Sequence, residues 1–248
     1  EVLEFTNRMK KHGFETVREI GGDPSQLPLM CLVFNARIPA PTIENSKIAV
    51  DLVPFFGGRV LRIIDKQTGE CVTAQNVSRS LFYPFSGGEE TRVGGLFSPE
   101  GMFSQFGVTQ QTPTSITMST AVGPFGLLPS ASGFDLQRVA KLESDAPVLT
   151  IETTATNSGD KPREAHLRSH LELDMGDLLK TRVAFTNRLG QDVKRDMAPI
   201  LAGLREGEHY LDQNAPKCSW TFTGGKGLEV TQTFDDGKLD FAWLYAYP

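Results

Sequence analysis

Residues 148–177 read VLTIETTATNSGDKPREAHLRSHLELDMGD, and the alternation within them decides the fold. Apolar and polar residues alternate at period two on both sides of Asn157-Ser158-Gly159-Asp160, the pattern of two strands joined by a turn. Leu149, Ile151, Thr153 and Ala155 share one face of the first strand, and Ala165, Leu167, Ser169, Leu171 and Leu173 one face of the second. The other face of the second strand carries Glu164, His166, Arg168, His170, Glu172 and Asp174. Two of the four histidines therefore stand in one row between carboxylates. A strand lining a polar cleft has this composition, and so does an antiparallel strand with one face in water.

Moving outward, the same period recurs. Toward the N-terminus, residues 134–142, 114–122, 59–65 and 47–53 read as strands, with Lys66-Gln67-Thr68-Gly69 as a hairpin turn. Residues 81–134 are rich in Gly, Pro, Ser and Phe, and read mostly as ordered loops packed by Phe82, Phe85, Phe97, Phe103, Phe106 and Phe125. Toward the C-terminus, Val183 and Phe185 mark a short strand, residues 199–211 hold a helical turn, and residues 219–223, 228–234 and 239–247 read as three more strands. The last alternates strictly. Phe241, Trp243, Tyr245 and Tyr247 share one face, an arrangement that fills a sandwich interior or offers a stacking platform.

Residues 1–19 are the one convincing helix near the start, with Val2, Phe5 and Met9 at helical spacing. Residues 21–45 follow as a proline-rich connector holding one strand. The expectation is a mainly β chain. Residues 1–45 form a short N-terminal helix and connector, read as the end of a preceding domain, and residues 46–248 form a large antiparallel sandwich. The chain opens on Glu1 and stops at Pro248 directly after a strand, which reads as an excised piece truncated at its C-terminus.

Composition narrows the function. At 248 residues the chain is long enough to bury a core without disulfides or metals. The net charge of −5, with basic residues scattered, argues against nucleic acid and anionic membranes as partners. No apolar run approaches the ~20 residues of a membrane span. Cys31, Cys71 and Cys218 have no metal-ligand spacing and form no disulfide framework. Asp174 and Asp177 are the only suggestion of a cation site, a weak one for calcium; otherwise no cofactor is expected. No strand–glycine–helix fingerprint, haem-attachment motif or nucleophile elbow is present.

Three stretches together resemble the galactose mutarotase-like supersandwich shared by aldose 1-epimerases and the accessory domains of many glycoside hydrolases. They are Val53-Pro54-Phe55-Phe56-Gly57-Gly58-Arg59-Val60, the strand at 149–157 with its Ser158-Gly159-Asp160 turn, and Ser169-His170-Leu171-Glu172-Leu173. The resemblance implies that His170 corresponds to the epimerase acid. A second, upstream histidine of the family is replaced by Phe97 in Gly94-Gly95-Leu96-Phe97-Ser98, and the family's glutamate base, which follows a late strand, has no counterpart before Pro248. The resemblance thus implies a carbohydrate-binding or accessory domain of a larger glycoside hydrolase-like protein. Its catalytic domain would lie N-terminal in the same parent chain, in a periplasmic or secreted setting. In that reading His166, Arg168, His170 and Glu172 line a sugar site, and Trp243 or Tyr245 supplies the platform. An aldose 1-epimerase using His170 as general acid is the second expectation, and a purely structural sandwich the third.

Overall fold

The computed structural model describes the backbone of residues 17–19 and 32–34. It also describes residues 40–54, 57–74, 87–93, 104–122, 133–163, 166–202, 207–235 and 239–245, the side chains of 201 and 202 aside. Strands dominate, and every pairing among them is antiparallel. The chain divides into two compact units, residues 1–173 and 174–248. Residues 1–16 of the expected helix lie outside the described residues. Its last three are extended instead: β1 (Val17–Glu19) pairs with β2 (Leu32–Phe34).

The first unit is a sandwich of two sheets. One comes from β3 (Thr42–Glu44), β4 (Ile48–Val53), β5 (Arg59–Asp65), β6 (Gly88–Val93) and, from farther along, β11 (Leu167–Glu172). The other comes from β7 (Gly107–Thr112), β8 (Ser115–Val122), β9 (Phe134–Leu142) and β10 (Leu149–Asn157). Their orders are β11-β6-β5-β4-β3 and β10-β9-β8-β7. Alternation builds the core between them: Ile43, Val50, Leu52, Val60 and Val93 from one sheet meet Ile116, Met118, Leu136, Ala140 and Leu142 from the other.

Two glycines fix the geometry where β5 and β6 begin. Gly58, at φ 59°, turns the chain into β5, and a Cβ there would press on the Phe106 ring at 3.1 Å. Gly88, at φ 76°, opens β6 so close to β5 that a Cβ would lie 1.9 Å from the Val60 carbonyl oxygen. A bulge at Leu61 lets Val60 and Ile63 both face the core.

The second unit has a four-stranded sheet. Its strands are β12 (Arg182–Thr186), β13 (Asp192–Asp196), β15 (Ser219–Thr223) and β16 (Glu229–Thr233), in the order β13-β12-β15-β16. A two-stranded ribbon joins β14 (Glu208–Leu211) to β17 (Phe241–Leu244), and a short helix spans Met197–Ala202. Val183, Phe185, Met197, Ile200, Tyr210, Ala242 and Leu244 form its core. The aromatic stripe of the last strand does not fill that core. Ala242 and Leu244 do so, while Trp243 and Tyr245 lie on the ribbon's other side, half-buried, with the Trp243 ring against His209.

Candidate functional site

The site is built around β6, a strand the sequence conceals. All six of its residues are buried, although four of them are Glu89, Glu90, Thr91 and Arg92. Such a strand persists only if each charge finds a partner. Alternation sends Glu89 and Thr91 into the sandwich with Val93, and Glu90 and Arg92 to the sheet's outer face.

On that outer face Arg59, Glu90 and His170 form a row across three strands. Register sets it: Val60 pairs with Glu89, which puts Arg59 level with Glu90, and Glu90 pairs with His170. The Arg59 guanidinium donates to Glu90 Oε2 and, at 3.1 Å, to the Gly87 carbonyl. Arg92 closes on the other carboxylate oxygen, its Nε donating to Glu90 Oε1 at 2.7 Å. His170 Nδ1 faces the same oxygen at 3.3 Å, and its Nε2 lies 3.5 Å from Glu172 Oε1. Burial works to raise the Glu90 carboxyl pKa. The His170 hydrogen bond and the charges of Arg59 and Arg92 overcome this and hold it well below the usual carboxylate range. An ionised carboxylate only accepts, so the proton of the Glu90–His170 bond sits on Nδ1.

The row has one open end. Glu90 and Arg59 side chains are 5% and 3% exposed, whereas His170 is 22% exposed. Its imidazole is thus a polar group of fixed orientation, backed by a permanent negative charge and presented at the edge of a buried ionic cluster. Glu172, at 10% exposure, is far more enclosed.

The other sequence-derived candidates fall as follows. Arg168 is half-buried on the same face as His170, directly across from Arg92, and His166 is exposed just before the strand begins. The polar row is therefore more enclosed than its apolar counterpart, where Leu167 is 49% exposed. Trp243 and Tyr245 belong to the second unit. Asp174 and Asp177 are held in a turn: Asp174 accepts from the Gly176 amide at 3.0 Å and from the Lys226 ammonium at 2.9 Å, and Asp177 caps Leu179. That ammonium and a backbone donor hold the Asp174 carboxyl below its usual range despite burial. No group of three or more potential metal ligands occurs among the described residues, and no helix among them is long and apolar enough to cross a membrane. Phe97, Glu164 and Ala165 lie outside the described residues.

Glu90 and Arg92, which define the site, carry no signal that the sequence pattern singles out, and Arg59 stands out only as part of the stretch that resembles the mutarotase-like family. What the sequence does offer is the Gly-Glu-Glu-Thr-Arg-Val run itself, where adjacent charges of both signs stand between a double glycine and an apolar residue.

Comparison with solved structures places this architecture among the galactose mutarotase-like folds. A galactose mutarotase-like protein from Lactobacillus casei superposes with a TM-score of 0.62 at 12% identity, covering 84% of this chain and 83% of that one. A galactose mutarotase related enzyme from Lactobacillus acidophilus gives 0.53 at 15% identity, covering 77% and 76%. A TPR-domain containing protein from Parabacteroides distasonis gives 0.51 at 14% identity, covering 76% of this chain but 34% of that one. No family profile and no curated protein sequence matches the chain. The chain has the galactose mutarotase-like fold.

Proposed function

We propose that the chain is a carbohydrate-binding β-sandwich serving a larger carbohydrate-active protein, with its sugar site on the outer face of the five-stranded sheet around His170. The observation that carries this reading is the row Arg59–Glu90–His170, buried at one end and open at the other. Sugar hydroxyls are recognised by charged and polar groups of fixed direction, and a buried ion cluster supplies that fixity. Arg168 and His166 extend the same edge, and Trp243 with Tyr245 provides an aromatic surface in the second unit. The Parabacteroides protein supports the accessory role, since there the matching fold is about a third of a longer chain. In the finer form of this reading, residues 46–248 make one supersandwich.

A second reading, an aldose 1-epimerase, is favoured by one distance. His170 Nε2 and Glu172 Oε1 are 3.5 Å apart, an acid and a base side by side. Mutarotation needs one proton delivered to the ring oxygen and one removed from the anomeric hydroxyl. Binding is preferred because Glu172 is 10% exposed and already faces the imidazole, so it is poorly placed to reach an anomeric hydroxyl.

Calorimetric titration with D-galactose and D-glucose, beside polarimetry of fresh α-D-galactose, tests both. Binding lost in His170→Ala without catalysed change of rotation supports the module. Catalysed mutarotation abolished by His170→Ala makes the chain an epimerase, and no affinity for any free sugar or glycan array leaves a structural scaffold.

A further inference from the structure

The inner face of the same sheet carries a second ionic cluster. Glu89 and Ser169 precede Glu90 and His170 on β6 and β11, Gly58 immediately precedes β5, and a single ion pair ties the three together. Arg138 reaches across the sandwich from β9 and is 1% exposed. Its Nη2 donates to Glu89 Oε2, and its Nη1 donates to the Gly58 carbonyl at 2.8 Å. Ser169 Oγ donates to Glu89 Oε1 at 3.0 Å, and Thr91 Oγ1 approaches the same oxygen at 3.3 Å. Each member of the outer row is therefore preceded by a residue held through Arg138 or Glu89.

We infer that the buried Arg138–Glu89 pair is a positioning device for the outer site, holding β5, β6 and β11 in the register that sets His170 Nδ1 against Glu90. This rests on the proposed sugar site at His170 and adds to it two residues that touch no ligand.

Stability alone does not account for the pair. Hydrocarbon of similar volume fills a core without the cost of desolvating two charges, and the neighbours Val60, Val93, Leu136 and Ala140 show that this core takes hydrocarbon readily. Arg138 Nε has no hydrogen-bond partner among the described residues, a further cost. What hydrocarbon cannot supply is direction. The guanidinium presents its donors in a rigid fork, so the Gly58 carbonyl and the Glu89 carboxylate are held at one spacing. A one-residue slip of β6 would exchange the faces of Glu89 and Glu90, and with Glu89 anchored inside, Glu90 is fixed outside.

The test uses the full chain with two variants: Arg138→Met combined with Glu89→Met, which removes both charges together, and Ser169→Ala, which removes one hydroxyl. Nitrogen-15 NMR of the His170 ring, assigned by comparison with His170→Ala, separates the Nδ1–H from the Nε2–H form. Wherever the ring is neutral, the wild type is expected to hold its proton on Nδ1 alone. Both variants should show mixed tautomers while remaining folded, and the D-galactose Kd of the double variant should rise about tenfold, the effect of one lost orienting hydrogen bond. A folded double variant whose ring keeps the pure Nδ1–H form overturns the inference. If that variant does not fold, an unchanged ring in Ser169→Ala overturns it instead. Absence of affinity for D-galactose, D-glucose and every arrayed glycan in the wild type defeats the sugar reading alone, because the ring spectrum still decides the positioning role.

Discussion

Replacing Glu90 with Gln keeps the shape of the side chain and removes a negative charge on which two buried guanidiniums close. Arg59 and Arg92 side chains are 3% and 2% exposed, and both close on this carboxylate. Breaking a buried pair by deleting one partner costs about 3–5 kcal/mol, because the remaining charge is left in a low-dielectric site. A domain is typically stable by only about 5–15 kcal/mol, so the loss should be plain at pH 7. The pH dependence carries the sign. The folded Glu90 pKa is depressed from its ordinary 4.5, so its contribution is complete above pH 4.5 and is lost as pH falls toward the lower folded value. Wild-type stability of the first unit should therefore decline below pH 4.5, and Glu90→Gln should lack that part of the decline.

The choice of probe matters, because both tryptophans, Trp220 and Trp243, belong to the second unit and their fluorescence reports on the wrong one. Hydrogen exchange of the β6 amides in urea, from pH 7 to pH 3, reads the right strand. A Glu90→Gln protein as stable as wild type at pH 7, or one with the same acid slope, would refute the account of Glu90 as a stabilising buried counter-ion.

The geometry sets three further outcomes. Gly88→Ala places a Cβ on the Val60 carbonyl at a left-handed backbone position, and should cost about 3 kcal/mol or more, read as a collapse of the thermal midpoint. Leu244→Ala should cost about 2–5 kcal/mol of the second unit's stability and Trp243→Ala less, because the leucine side of that strand is the core; the reverse order by urea denaturation would mean the strand faces the other way. Tyr210 is held far above its ordinary 10.0 by burial, and its hydroxyl donates to the Glu208 carboxylate. Its contribution is complete below pH 10 and lost as pH rises toward the folded value, so Tyr210→Phe should flatten the alkaline limb of unfolding.

Much of the architecture was legible because half-buried strands print their burial at period two. Phe134, Leu136, Ala140 and Leu142 alternate with more exposed neighbours in β9 as their pattern requires. Resemblance carried the fold further than periodicity did, since three short stretches in the right order pointed to the mutarotase-like sandwich. Where local pattern and tertiary burial part company, the reading failed. β6 has no alternation to detect, for it is buried on both faces and charged. The hairpin of β12 and β13 was only half seen, because Asp192–Asp196 is mostly exposed and gives no apolar signal.

The sequence by itself determined the β class, most of the strands and the turns that join them, all of which depend on neighbours a few residues apart. Tertiary structure alone decided which side of the last strand is core, and that Glu90, eighty positions from His170, is the group that orients it. The reason is physical. A buried charge is tolerated only when its partners arrive from other strands, and neither partner carries in its own local sequence any mark of the other.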